Sequence, residues 1–151
     1  MKITITTLLL IILTMSVSAQ IPQGPIQSHP EKIVWKDGPP TLPAGVKMAV
    51  LEGNPKDSGI FTMRLRFPPH YMILPHFHPR DERATILSGS MFVGFGEQPD
   101  KTKATKFTAG CFYVNPSDSH HYAFTDSDSA EVQLTGMGPW KINYLEEKNE
   151  K

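Results

Sequence analysis

The stretch His76-Phe77-His78-Pro79-Arg80-Asp81-Glu82 decides how this chain is read. On a strand, residues two apart share a face, so His76 and His78 project together while Phe77 packs on the other side. The turn Pro79-Arg80-Asp81 then starts the next strand at Glu82, which brings a carboxylate beside the two imidazoles. Two ring nitrogens and a carboxylate oxygen suit a divalent first-row metal. A further donor is offered by Gly110-Cys111-Phe112-Tyr113-Val114-Asn115-Pro116-Ser117-Asp118-Ser119-His120-His121, where a strand leads into a tight turn and returns on histidines. Neighbours on a strand face opposite ways, so His120 and His121 cannot both enter beside the others. A lone pair of histidines is more often a solvated surface feature. Here the Glu82 spacing and the second segment argue for a metal site.

The chain around these segments reads as one all-β domain. It has 151 residues, of which 39% are hydrophobic and 20% charged, with 14 Pro and 11 Gly that leave little room for long helices. Short β-branched and aromatic runs recur at 46–51, 60–67, 71–77, 84–87, 91–95, 111–114, 122–124 and 132–134. Turn-forming combinations such as Gly53-Asn54-Pro55, Pro68-Pro69, Ser88-Gly89 and Asp126-Ser127-Asp128 separate them. Such spacing predicts a sandwich or barrel. Fifteen basic residues balance fifteen acidic ones, which lacks the basic excess that a nucleic-acid partner demands. The single cysteine, Cys111, excludes an internal disulfide and any multi-cysteine metal site. It reads as an inert, buried thiol.

Residues 1–19 read as a secretory signal: Lys2 supplies the charge, an apolar run follows, and Val17 and Ala19 offer the small or short side chains before a cut. The run is broken by Thr4, Thr6, Thr7 and Thr14, which disfavours a membrane anchor. The mature chain is expected to start at Gln20 and to be secreted or periplasmic, with no membrane contact after cleavage. Loss of Lys2 leaves fourteen basic against fifteen acidic groups. Residues 20–43 form a Pro-rich arm, 44–145 the barrel and 146–151 a charged tail. Trp35 in the otherwise polar arm calls for a partner surface, either on its own barrel or on a second subunit, and a homodimer is the expectation.

The two segments resemble the two motifs of the cupin family. The first, His-x-His, three or four residues, Glu, six residues, Gly, is met by His76, His78, Glu82 and Gly89. The second, Gly, five residues, Pro, x, Gly, two residues, His, is met by Gly110, Pro116 and His121. Three positions depart from the pattern: His70 stands for the opening Gly, Asp118 for the central Gly, and Thr125 for the final Asn. The resemblance implies a double-stranded β-helix, or jelly-roll, barrel whose divalent metal (Fe, Mn, Ni, Cu or Zn) is held by His76, His78, Glu82 and His121. Motif counting favours His121 over His120. Arg80 and Arg83 either orient the Glu82 carboxylate, meet an anionic substrate, or serve solubility. His29 reads as exposed and His70 as a turn residue.

Four such ligands on a six-coordinate ion leave two positions open, whereas tetrahedral Zn would be saturated. Cupins with these ligands include dioxygenases, oxalate-degrading enzymes and sugar-binding regulators, so the fold alone carries no single activity. The leading expectation is an exported, dioxygenase-like oxidoreductase acting on a small organic molecule. The alternatives are a non-catalytic ligand- or metal-binding module and a metal-dependent isomerase or lyase.

Overall fold

Alternation along the strands builds the barrel. A computed structural model describes residues 24–145; the expected signal over 1–19, its cleavage ahead of Gln20 and the tail over 146–151 lie outside the described residues. The strands are β1 (Lys36–Asp37), β2 (Lys47–Glu52), β3 (Gly59–Phe67), β4 (Met72–Phe77), β5 (Glu82–Phe95), β6 (Thr105–Thr108), β7 (Phe112–Asn115), β8 (His121–Phe124), β9 (Ala130–Gly138) and β10 (Asn143–Tyr144). On β3, Phe61, Met63, Leu65 and Phe67 are buried. The residues between them carry the outer face, where Arg64 Nε donates to Gln133 Oε1 and Arg66 Nε to Glu131 Oε2 on β9. Antiparallel register sets Leu65 opposite Val132 and Met63 opposite Leu134, all buried. Each such side chain contributes about 1.5–3 kcal/mol through removal from water.

The strands form a jelly roll of two curled sheets, as expected. One runs β1-β2-β3-β9-β5-β7 and the other β6-β5-β8-β4-β10. β5 belongs to both: Glu82 to Thr85 pair with β7 and Arg83 to Gly89 with β9, whereas Ser90 to Val93 pair with β6 and Phe92 to Phe95 with β8. The turn expected at Ser88-Gly89 is therefore a bend within one 14-residue strand. Gly89 takes φ 68°, and a Cβ there would lie 1.8 Å from the Ser129 carbonyl oxygen. No side chain fits where the strand crosses between ladders, which explains the glycine seven residues after Glu82.

The two glycine replacements sit where glycine would. His70 and Asp118 have φ of 57° and 58°, and they are the non-glycine residues in the left-handed region. His70 is the turn residue expected, with its amide donating to Asp126 O at 2.8 Å. Thr125, in place of the motif's Asn, is buried; its hydroxyl accepts from Tyr71 N at 2.9 Å and donates to Pro68 O at 2.6 Å, tying the β3–β4 loop to the end of β8.

The described part of the arm packs on its own barrel. β1 pairs with β2, Tyr71 Oη donates to Pro43 O, and Leu42 packs on the core. The Arg66 guanidinium lies 3.9 Å from the centroid of the Trp35 ring. Trp35 thus finds a surface within the chain, on Arg66 of β3. Cys111 is half-buried in the turn before β7, more accessible than expected. Among the described residues no helix is long and apolar enough to cross a membrane.

Gly89→Ala should lower the unfolding free energy by about 3–5 kcal/mol, combining left-handed strain with overpacking against Ser129. Urea unfolding of the two proteins measures it, and an unchanged midpoint would contradict the bend as described.

Candidate metal centre

His76, the penultimate residue of β4, lies directly opposite His121 on β8, and a register shift between Ile73 and His76 marks an irregularity just before it. His78 lies one residue beyond β4, with its carbonyl accepting the Asp118 amide at 2.8 Å. A second link joins the same two loops, from Ser117 N to Asp81 Oδ1 at 3.0 Å. Asp118 thereby supplies both the left-handed turn and the tether that the motif assigns to glycine. This settles the orientation of the adjacent histidines. His121 is 1% exposed and faces the barrel interior, whereas the His120 side chain is 37% exposed and lies 3.7 Å from Glu97.

Each inward imidazole is oriented by a backbone carbonyl. Nδ1 of His76 lies 2.7 Å from Leu74 O, that of His78 2.8 Å from Lys141 O, and that of His121 2.8 Å from Ser119 O. A carbonyl only accepts, so Nδ1 carries the proton and Nε2 of the neutral ring presents a lone pair. Nε2 of His78 and of His121 is buried with no hydrogen-bond partner. The three rings offer nitrogens that lie within 4.8 Å of one another. Two nitrogens on one ion stand at most ~4.2 Å apart, twice the ~2.1 Å bond, so small inward shifts close the set. Orphaned lone pairs on a convergent, neutral donor set fit a divalent ion.

Glu82 begins β5 as expected and lies just outside this cluster. Its Oε1 is 3.7 Å from His78 Nε2, and its Oε2 is 3.6 Å from His121 Nε2. Neither Arg80 nor Arg83 holds it: Arg83 pairs with Asp81 at 2.9 Å, and Arg80 is exposed. The carboxylate is held by Asn115, directly opposite on β7, which donates from Nδ2 to Oε2 at 2.7 Å. Sequence reading missed Asn115, although its place immediately before Pro116 in the second motif was visible. It also missed Trp140, whose ring stacks on His78 with centroids 4.1 Å apart and planes 19° apart. Near the site, Tyr113 has its hydroxyl pushed well above the usual tyrosine range by burial and then by the Glu82 charge.

Burial, followed by the neighbouring His121, lowers His76 to about 3, and burial likewise lowers His78. Burial alone would raise Glu82, but the three imidazoles, led by His121, reverse the sign and hold it at about 2. At neutral pH His76 and His78 are therefore neutral imidazoles and Glu82 an ionised carboxylate, the protonation states a metal requires. Beside it lies a cavity of about 370 Å³ between the sheets, closed on one side by Pro39, Pro40 and Leu42 of the arm.

The chain belongs to the ChrR cupin-like domain family, whose family model matches residues 23–141. It is similar to germin-like protein 3-1 of Oryza sativa subsp. japonica, with 33% identity over 81 residues, 52% of this chain and 36% of that protein. It is also similar to putative germin-like protein 2-1 of the same plant, with 32% identity over 96 residues, 62% of this chain and 44% of that protein. The chain spans less than half the length of these curated relatives. Among solved structures, the polyketide cyclase RemF from Streptomyces resistomycificus superposes with a TM-score of 0.60 at 17% identity, over 80% of this chain and 87% of that one. KdgF from Halomonas sp. does so with 0.55 at 19% identity, over 73% and 91%. These two likenesses show the fold.

The pKa shifts set the acid stability of the metal-free protein. Unfolded His76 takes up a proton near its ordinary 6.5, but in the folded state only near 3. The unfolded chain thus binds the extra proton between those values, and stability falls as pH drops through that window, by up to about 1.4 kcal/mol per pH unit per such group. Glu82, lowered from 4.5 to about 2, adds to the loss at still lower pH. Urea midpoints of the metal-free protein at pH 7 and pH 5 should differ, with the lower value at pH 5; equal midpoints would refute the buried neutral state of His76.

Proposed function

We propose that this chain is an exported, metal-dependent oxidoreductase of dioxygenase-like type that acts on a small organic molecule, with His76, His78, His121 and Glu82 as the metal ligands. The observation that carries the proposal is the convergence of three oriented imidazoles, two of them with orphaned Nε2 atoms, at the wall of a cavity large enough for substrate. A divalent Fe, Mn, Ni or Cu ion bound there supplies open coordination positions and redox or Lewis-acid chemistry.

The protein's own groups have separable tasks. The carbonyls of Leu74, Lys141 and Ser119 keep the lone pairs of the three rings on Nε2. Asn115 fixes one oxygen of Glu82, which leaves Oε1 to complete the ligand set or to take a proton from substrate. Trp140 covers one face of His78 and restricts its rotation. The apolar walls and the arm exclude water from the reacting end. Lyase or isomerase chemistry is the second reading, favoured by fold neighbours described as a polyketide cyclase and as DMSP lyases. In it the same residues would serve a metal that polarises substrate without changing oxidation state.

The test is elemental analysis of protein recovered after export, with mass analysis reading whether it begins at Gln20. One divalent ion per chain is expected. His76→Ala, His78→Ala and His121→Ala should each weaken metal affinity by roughly a hundredfold, and His120→Ala should leave it unchanged. Nitric oxide added to the Fe(II)-loaded protein should change its spectrum. Full occupancy in His121→Ala, or a spectrum indifferent to nitric oxide, would end the proposal.

A further inference from the structure

The cavity beside the imidazoles is chemically one-sided. Its walls away from them include Met63, Leu65, Phe67, Ile73, Val132 and Leu134, which offer no hydrogen-bonding side chain of ordinary strength. Its buried polar side chains, His76, His78, His121, Glu82 and Asn115, cluster at the other end, while Thr41 of the arm adds one hydroxyl to the lining. Glu82 is the one carboxylate in the lining, while Lys56 and Lys141 are also part of it. A divalent ion beside this one carboxylate would leave the polar end net positive. Besides the Nε2 atoms of His78 and His121, Trp140 Nε1 and Asn115 Oδ1 are buried there without partners.

We infer that the occupant of this cavity is a small, largely apolar organic anion that places its oxyanion at the imidazole end, with Trp140 as the positioning residue that donates to it. The inference rests on the metal-centre reading for its charge, but not for its polarity. A volume of about 370 Å³ holds roughly a dozen waters at ~30 Å³ each, which sets the size of the ligand. A sugar acid of that size would bury several hydroxyls against carbon, and each unpartnered one lowers affinity by about tenfold. A neutral alcohol fits the walls but leaves the positive end uncompensated. An oxyanion meets both demands, and its oxygen gives the buried Trp140 N–H the acceptor it lacks. The stacking of Trp140 on His78 places that donor beside the reacting end.

Three probes separate these terms: octanoate, octan-1-ol and glucuronate, titrated calorimetrically into the Zn-loaded and the metal-free protein. Octanoate should bind the loaded protein about tenfold or more tightly than either of the others. In the metal-free protein its advantage over octan-1-ol should shrink, while its advantage over glucuronate persists because the walls are unchanged. Trp140→Phe keeps an aromatic face on His78 and removes the donor; it should cost octanoate about tenfold and octan-1-ol little, at unchanged melting temperature. Trp35→Phe leaves Trp140 as the sole tryptophan of the two in the chain, so a change in its emission on adding octanoate reports occupancy next to His78. Glucuronate binding as tightly as octanoate would overturn the substrate class, and an unaltered octanoate affinity in Trp140→Phe would overturn the role of Trp140. Failure to take up metal would instead refute the metal-centre reading, and the metal-free comparison of octanoate with glucuronate would still decide the polarity.

Discussion

Three imidazoles lie buried side by side, and the need to aim their Nε2 lone pairs at one point organises the structure around them. Each ring turns its Nδ1 outward to a backbone carbonyl. The lone pairs of His78 and His121 then face inward with nothing to accept from. A buried acceptor left in this state costs about 1–3 kcal/mol, and the cost is borne by surrounding β-structure that is otherwise well paired. A cation at the centre would relieve it, and by mass action would stabilise the folded chain as well.

The scaffold meets this constraint with two loops and one bent strand. The loop after β4 carries His78, the loop after β7 carries Asp118, and the hydrogen bond between them fixes their spacing. β5 supplies Glu82 from one sheet and, past Gly89, flanks His121 from the other, where Phe95 pairs with it. The motif glycines at His70 and Asp118 have been replaced without loss of the turns, because a left-handed backbone costs a polar residue little when its amide has an acceptor. These exchanges show that the family pattern is at root a pattern of backbone conformations.

Most of the fold and much of the site were legible in the sequence, for reasons that also mark the limits. The alternation of Phe61, Met63, Leu65 and Phe67 identified a strand with one buried face, and His76 with His78 followed from the same period. Asp118 left the register open because sequence spacing cannot report a dihedral angle, whereas in the fold its amide donates a hydrogen bond to the His78 carbonyl and His121 faces inward. Ser88-Gly89 was misread because a glycine bend inside a strand has the same composition as a turn. β6 and β10 are held by pairing with β5 and β4, and segments so short and polar carry little pattern of their own. Asn115 and Trp140 lie 33 and 62 residues from the groups they touch, Glu82 and His78, and such contacts follow from topology. Cys111 is less buried than its apolar neighbours implied because it lies in a turn.

The partner of the His78 ring, the Lys141 carbonyl, stands 63 residues further along the chain. His121 and the cavity wall from β9 also come late, and β3 must find β9 across most of the barrel before its inner face is covered. Contacts of such long range form slowly and only after the intervening chain is available. The centre is therefore complete only once β8 and the chain as far as Lys141 are in place. A nascent or truncated chain ending before Lys141 holds His76, His78 and Glu82 but lacks the carbonyl that orients His78. An ion held by the full set would thus act as a late latch on a barrel already closed, not as a seed around which the early strands gather.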